Sequence, residues 1–143
     1  MRFFSPAKVN IFFRTLAKRG DGYHDIASLY TAVDYGDFLD ISFAEGDCFS
    51  CSNSCLKTDA SNLVMRALAI FRQRLQNDAP VAIHLEKQIP MQTGLGGGSS
   101  NAATTLWGLN ELFGYPFSLN ALIEMGASLG SDVPFFFSSG VKL

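Results

Sequence analysis

The chain has 143 residues, a length typical of one domain, and 48% of them are hydrophobic, enough to bury a core. Its net charge of -2, from 13 acidic and 11 basic residues, argues against a surface that binds nucleic acid. Its longest apolar stretches, such as residues 133–137, are far shorter than the roughly 20 residues of a membrane-spanning helix. We therefore expect neither nucleic acid nor membrane as a partner. The short N-terminal apolar run does not predict a signal peptide, which favours a cytoplasmic location.

The first third of the chain predicts β structure. Residues 3–16, 26–33 and 38–43 are rich in Phe, Ile, Val, Thr and Tyr, which favour strands. Turn residues cluster between them at 18–22 and 34–37. The pattern predicts a meander or hairpin sheet.

Three cysteines, Cys48, Cys51 and Cys55, follow in one short segment. An odd number argues against a disulfide framework, and tetrahedral zinc needs a fourth ligand, which His24 or His84 could supply only from a distance. We interpret the segment as free thiols in a hairpin and predict no metal site, with a zinc site as the less favoured alternative.

An amphipathic helix and a half-buried strand are predicted next. Apolar residues recur at helical spacing over residues 64–75, and Ser61 or Asn62 can cap the start of this helix. Over residues 81–86 the apolar residues alternate, so Val81, Ile83 and Leu85 share one side of a strand.

A glycine-rich segment joins this strand to a second helix. Four glycines occupy five positions and two serines follow them, before an apolar helical stripe that ends at Gly114. Glycines let the backbone approach a ligand closely, and the N–H groups and dipole of the helix start favour an anion such as phosphate. The predicted cofactor-binding residues are Pro90, Met91, Gln92, Thr93, Gly94, Leu95, Gly96, Gly97, Gly98, Ser99 and Ser100.

The two serines have more than one possible role. Ser99 and Ser100 can cap the helix, donate to phosphate oxygens or reach a phosphate-bound Mg²⁺. The segment is neither a Walker A motif, since no Lys follows Gly98, nor G-x-G-x-x-G, since Ser99 stands at the last glycine position. A glycine-rich turn without a ligand is the less favoured interpretation. After this helix, Ser118 can cap a shorter helix through Leu129, and residues 133–138 predict a buried strand.

Three segments in colinear order resemble the signatures of the GHMP kinases, in particular their diphosphocytidyl-methylerythritol kinase branch. They are the run from Ser5 to Asn10 followed by residues 20–24, the segment from Pro90 to Ala103, and residues 130–136. The resemblance covers the chain to about Gly140. It implies an α+β fold in which residues 1–143 form the GHMP kinase N-terminal, ATP-binding domain, similar to domain 2 of ribosomal protein S5.

The resemblance also implies an activity and roles for individual residues. The activity is Mg²⁺-dependent transfer of the γ-phosphoryl group of ATP to the 2-hydroxyl of 4-diphosphocytidyl-2-C-methyl-D-erythritol, a step of the non-mevalonate route to isoprenoid precursors. Asp132 is implied as the catalytic base and Lys8 as its partner, which also stabilises charge near the transferred phosphate. The implied substrate-binding residues are Asn10, Tyr23 and His24.

From the residues alone, bland interpretations stand beside these roles. Asp132 could be a turn or helix N-cap residue, and Lys8 could lie with its stem along the sheet and its head in solvent. Tyr23 could be an aromatic residue at a strand edge, and His24 a surface histidine. A charged Lys8 within an otherwise apolar strand is costly unless it is paired or faces a cleft. His84 matches no signature and is interpreted as structural.

Other functions remain as alternatives. They are a mevalonate- or homoserine-type kinase or a diphosphate decarboxylase of the same superfamily, a non-catalytic nucleotide-binding domain, and, least favoured, nucleic-acid binding. The family's third glycine-rich signature and C-terminal domain do not occur in this sequence. The chain is therefore expected to be the N-terminal portion of a longer enzyme, and its competence alone is an open question.

Overall fold

A computed structural model describes residues 1–18 and 24–138. The elements in chain order are strands β1 (Arg2–Lys18), β2 (His24–Phe43) and β3 (Cys48–Cys51), helix α1 (Leu63–Leu75), strand β4 (Val81–Glu86), helices α2 (Gly97–Leu112) and α3 (Leu119–Leu129), and a 3-10 helix (Val133–Phe137). Within these residues the strands form one sheet in the order β1-β2-β4-β3, antiparallel except for the β3–β4 pair. The predicted α+β class is confirmed.

The predicted turn at residues 34–37 is wrong, because these residues lie inside β2. Pro6 of β1 pairs with Gly36 and Ala7 pairs with Val33, so that the two residues between Val33 and Gly36 bulge out of the ladder. Gly36 is needed for this close approach, since a Cβ there would lie 2.3 Å from the carbonyl oxygen of Ser5. Turn-forming residues here make a bulge instead of a chain reversal.

The core lies between one face of the sheet and the three α-helices. Val81, Ile83 and Leu85 of β4 are each 1% exposed, which confirms the predicted alternation. Opposite them, helix α1 buries Phe71 and helix α2 buries Leu106. The apolar face of the sheet therefore fixes where the start of α2, and with it the glycine-rich segment, can lie.

Two predicted helix caps are present. The side chain of Asn62 accepts a hydrogen bond from the Val64 N–H at 2.9 Å, so Asn62 rather than Ser61 caps α1. The side chain of Ser118 accepts one from the Ala121 N–H at 3.4 Å at the start of α3. These local bonds satisfy N–H groups that a helix start leaves unpaired.

The predicted buried strand at residues 133–138 is wrong. The segment is a 3-10 helix with Pro134 in its first turn, and its end is closed by a bond from the Ser138 N–H to the Phe135 carbonyl at 3.1 Å. Proline has no N–H for a strand ladder, and its fixed φ suits a helix start. The apolar run Val133–Phe137 therefore packs against α2 and α3 instead of joining the sheet.

The three cysteines are free thiols, as interpreted, but they are not in a hairpin. Cys48 and Cys51 lie on β3, an edge strand parallel to β4, and Cys55 follows in the loop. Among residues 1–18 and 24–138 no group of three or more His, Cys, Asp or Glu side chains could hold a metal ion.

No helix within the described part of the chain is long and apolar enough to cross a membrane. The cytoplasmic location stays a prediction.

Candidate functional site

The glycine-rich segment forms a loop that runs directly into α2. Gly94 and Gly96 have φ angles of +77° and +70°, in the left-handed region that favours glycine. Gly96 is the N-cap of α2, and Gly97, Gly98 and Ser99 form its first turn. The helix therefore begins inside the glycine run.

The start of α2 is suited to an anion. The N–H groups of a first helical turn have no partners within the helix, and the helix dipole adds partial positive charge there. Gly96, the N-cap residue, has no side chain that could accept hydrogen bonds from these N–H groups. A phosphate oxygen could accept hydrogen bonds from these N–H groups.

A cleft of about 740 Å³ lies against this loop, within the usual size range for small-molecule sites. Its other wall includes Leu56, Asn62 and Leu63, near the start of α1. The predicted cofactor-binding residues that line the cleft are Pro90, Met91, Gln92, Thr93, Gly94, Leu95, Gly96, Gly97, Gly98 and Ser99.

Ser100 was predicted with this group but does not line the cleft. Its side chain is fully buried, and its Oγ accepts a hydrogen bond from the Oγ of Ser5 at 2.9 Å. Of the two serines at the helix start, Ser99 is therefore the one whose hydroxyl is available for a phosphate or its Mg²⁺.

Lys8 of β1 lies against the glycine loop and is only 6% exposed. Its Nζ is 3.3 Å from Oδ2 of Asp132 and 3.4 Å from Oδ1 of Asn10, to which it donates. It also lies 3.9 Å from the centre of the Tyr30 ring, a cation–π distance. The structure thus brings together Lys8, Asp132 and Asn10, three of the residues predicted for catalysis and substrate binding.

The same lysine is attached to the glycine loop. Its backbone N–H donates to the Leu95 carbonyl at 2.9 Å, and its side chain crosses Gly96, where a Cβ would lie 2.7 Å from Lys8 Cγ. The Lys8–Asp132 pair is therefore next to the N-terminus of α2, although neither of the two side chains lines the cleft.

The 3-10 helix Val133–Phe137 places Asp132 at the site. The Phe135 ring packs edge-on against Tyr30, with centroids 5.8 Å apart, and the Phe136 ring would lie 3.2 Å from a Cβ at Gly96. Asp132 occupies the N-cap position of this helix, yet its side chain makes no cap bond and faces Lys8 with 36% of its surface exposed. This exposure leaves the carboxylate accessible to a substrate.

Tyr23 and the side chain of His24 lie outside the described residues, so their predicted role has no counterpart here. His84 is exposed on β4, where its Nδ1 lies 2.8 Å from the Ser50 Oγ, and it does not line the cleft.

Sequence reasoning missed two charged residues, Asp37 and Lys87. Asp37 was assigned to a turn, but it is fully buried and forms an ion pair with Lys87, whose side chain is 5% exposed. Lys87 lines the cleft. The sequence signal that could have revealed this pair was Lys87 itself, because it is an isolated cation between a buried strand and the glycine loop.

Comparison with known proteins matches the chain to a family. The sequence profile of the family described as "GHMP kinases N terminal domain" matches residues 62–140, more than half of the chain. The match includes the glycine loop and Asp132.

Relatives with established names are similar over nearly the whole chain. A 4-diphosphocytidyl-2-C-methyl-D-erythritol kinase of Protochlamydia amoebophila is 47% identical over 140 residues, which are 98% of this chain and 49% of the relative. The chloroplastic/chromoplastic kinase of the same name from Solanum lycopersicum is 44% identical over 96% of this chain and 35% of its own length. The chain therefore spans between about a third and a half of these relatives.

Solved structures show the same fold. A crystal structure of 4-(cytidine 5'-diphospho)-2C-methyl-D-erythritol kinase superposes with a TM-score of 0.81 at 33% identity, over 95% of this chain and 48% of that one. The Methanococcus jannaschii mevalonate kinase superposes with a TM-score of 0.73 at 13% identity, over 99% and 52%. The second similarity is one of fold alone.

Proposed function

The chain belongs to the GHMP kinases, and on this basis we propose that its cleft binds ATP for phosphorylation of a small-molecule alcohol. The proposed acceptor is the 2-hydroxyl of 4-diphosphocytidyl-2-C-methyl-D-erythritol, because the relatives that are 41–47% identical carry the name of that kinase. The observation that carries the proposal is the Lys8–Asp132 pair, 3.3 Å apart beside the glycine loop.

Phosphoryl transfer requires mainly that the reactants are positioned and their charge is stabilised. In the proposed reaction the substrate hydroxyl oxygen bonds to the γ-phosphorus, the bond from that phosphorus to the β–γ bridging oxygen breaks, and ADP leaves. Asp132 accepts or orients the hydroxyl proton, for which its partly exposed carboxylate is suited. Lys8 holds that carboxylate and places a positive charge where the phosphoryl group passes.

The glycine loop and the start of α2 are proposed to hold the phosphates of ATP. The N–H groups of Gly97, Gly98 and Ser99 would donate to phosphate oxygens, and the close approach depends on residues without a Cβ. Mg²⁺ bound to the phosphates would neutralise their charge, and Ser99 is the cleft hydroxyl suited to reach it.

Asn10 is proposed to contact the acceptor, since it is exposed next to Lys8 and bonded to it. Tyr23 and His24 are proposed to bind the cytosine base, as the family resemblance implies. The Tyr30 ring is proposed to hold the Lys8 ammonium group in place by a cation–π contact.

The test is an ADP-release assay on the purified chain with Mg·ATP and 4-diphosphocytidyl-2-C-methyl-D-erythritol. It is run on the unaltered chain, on Asp132→Asn, and on Glu124→Gln as a matched control. Glu124 is an exposed carboxylate of α3 that pairs with Arg74, away from the cleft. A chimera that adds the second half of the Protochlamydia amoebophila relative is tested in parallel, because the chain covers 49% of that protein.

Substrate-dependent ADP release that Asp132→Asn abolishes and Glu124→Gln retains, in the chain or in the chimera, supports the proposal. Release in the chimera alone would mean that the site needs residues beyond this chain. If neither protein releases ADP with this substrate but either is active on mevalonate or homoserine, the proposed acceptor is wrong and is replaced by the one that is phosphorylated. Mg·ATP binding without turnover of any acceptor would favour the non-catalytic nucleotide-binding domain.

A further inference from the structure

Asp37 is a fully buried carboxylate whose partners lie on both sides of the glycine loop. Its Oδ1 accepts hydrogen bonds from the backbone N–H groups of Gln88 and Ile89, both at 2.7 Å, where the chain leaves β4 for the loop. Its Oδ2 accepts one from Asn101 Nδ2 at 2.8 Å, after the chain has entered α2. One side chain therefore holds the start and the end of the loop.

A second set of bonds extends this arrangement to β1. Asn101 Nδ2 also contacts Ser5 Oγ at 2.9 Å, and Ser5 Oγ donates to Ser100 Oγ at 2.9 Å. The side chains of Ser5, Ser100 and Asn101 are all buried. The first turns of α2 are thus bonded to both strands that carry Lys8 and Asp37.

Lys87 connects Asp37 to the cleft. Its Nζ forms an ion pair with Asp37, and a Cβ built at Gly97 would lie 2.8 Å from that Nζ. The ammonium group is therefore held against the first turn of α2, at the wall of the cleft. Asp37 fixes the position of this ammonium group from the buried side, opposite the cleft.

Stability alone is a weak reason for such a pair. Burying two charges costs desolvation energy that their attraction only partly returns, and apolar side chains of the same volume often stabilise a core equally well or better. What an apolar pair cannot do is accept hydrogen bonds from Gln88 and Ile89 and orient Asn101 at the same time. The hydrogen bonds of Asp37 therefore fix both the position and the orientation of these three partners.

We propose that Asp37 is a positioning residue of the nucleotide site, which acts through Lys87, Ile89 and Asn101 to hold the loop and the start of α2 in a phosphate-binding geometry. The inference rests on the proposed function, that this cleft takes a nucleoside triphosphate. Asp37 itself does not line the cleft.

The first experiment measures the Kd for Mg·ATP by titration calorimetry and the amide hydrogen exchange of residues 88–100 in Asp37→Asn. This change keeps the shape of the side chain but removes its charge. The expected result is at least a tenfold weaker Kd and faster exchange in the loop, while exchange in α3 is unchanged. Asp40→Asn is the matched control, because Asp40 lies on the same strand but has a side chain that is 42% exposed and pairs with Arg2.

The second variant separates positioning from stability. Asp37→Leu combined with Lys87→Met replaces the ion pair by apolar side chains. It is expected to regain only part of the unfolding temperature lost in Asp37→Asn, because no buried charge is left unpaired but the N–H groups of Gln88 and Ile89 lose their acceptor. Loop exchange and Kd are expected to remain impaired in it. A double variant with the Kd and loop exchange of the unaltered chain would overturn the proposal and leave Asp37 a structural residue.

Failure of the proposed function is distinguishable from failure of this inference. An unaltered chain that does not bind Mg·ATP would remove the nucleotide site, and the positioning role with it. An unaltered chain that binds Mg·ATP, with Asp37→Asn equal to it in Kd and loop exchange, would overturn the inference and leave the proposed function standing.

Discussion

The side chain of Lys8 crosses directly over Gly96, so closely that a Cβ at Gly96 would lie 2.7 Å from Lys8 Cγ and 3.2 Å from Lys8 Cε. The Lys8 N–H also donates to the carbonyl of Leu95, the residue before. The path of Lys8 toward Asp132 therefore depends on the missing side chain at Gly96. The loop and the catalytic pair proposed here form one packed unit.

Gly96→Ala is expected to impair the site and the fold together. Its φ of +70° costs a residue with a Cβ about 1–2 kcal/mol, and the added methyl group displaces Lys8. Gly94→Ala is the matched control, since φ there is +77° but no atom lies within 4 Å of its Cβ position. Both variants should lose free energy of unfolding in urea through this backbone strain, and Gly96→Ala should lose more because of its clash with Lys8. ADP release should be at least about tenfold lower in Gly96→Ala than in Gly94→Ala, although Gly94 also lines the cleft.

Lys8→Met is expected to lower kcat by about a hundredfold, because the proposed role of Lys8 is to stabilise charge in the transition state. The free energy of unfolding should change by less than about 1 kcal/mol, since methionine can fill the volume and the partly exposed Asp132 can be solvated. Steady-state ADP release and urea unfolding measure the two quantities. A large loss of stability with unchanged kcat would assign Lys8 a structural role instead.

Asp47 gives a prediction about pH. The Arg72 guanidinium donates two hydrogen bonds to its carboxylate, both at 2.7 Å, and these bonds, helped by one from the Val81 N–H, lower the pKa of Asp47 to about 2. The ordinary pKa of Asp in the unfolded chain is about 3.9. The contribution to stability is therefore fully present above about pH 4 and is lost as the pH falls through about 2.

In Asp47→Asn the free energy of unfolding should be lower by about 1 kcal/mol at pH 6, because solvent screens a carboxylate that is 48% exposed. The difference from the unaltered chain should shrink between pH 4 and pH 2. Glu45→Gln, at an exposed acid two residues away, should show no such convergence. Urea unfolding at several pH values measures the difference in free energy of unfolding. A difference that stays constant down to pH 2 would contradict the lowered pKa of Asp47.

Phe71→Ala is expected to destabilise the fold by about 3–5 kcal/mol, since it leaves a cavity in the core. The ring is fully buried and packs against Phe113 and Phe117, with centroids 5.7 and 5.2 Å away. Leu119→Ala, at a side chain that is 47% exposed, is the control and should cost less than about 1 kcal/mol. Thermal and urea unfolding compare the two variants.

Elements whose signals are local were predicted well. The alternation of Val81, Ile83 and Leu85 and the caps at Asn62 and Ser118 depend only on neighbours within a few residues. The predictions at residues 34–37 and 133–138 were wrong for a shared reason. Turn residues can also form a bulge, and an apolar run can also form a buried 3-10 helix, so the choice between them depends on what packs against the segment.

The sequence by itself determined that a glycine loop leads from a strand into a helix, because glycine density and apolar spacing are local properties of the chain. The family resemblance also predicted catalytic roles for Lys8 and Asp132. Only the tertiary structure decided that these two side chains lie 3.3 Å apart, that Ser100 is turned away from the cleft, and that Asp37 is buried behind the loop. Such contacts join residues far apart in the chain, and they depend on the packing of the sheet against the helices, which no local pattern records.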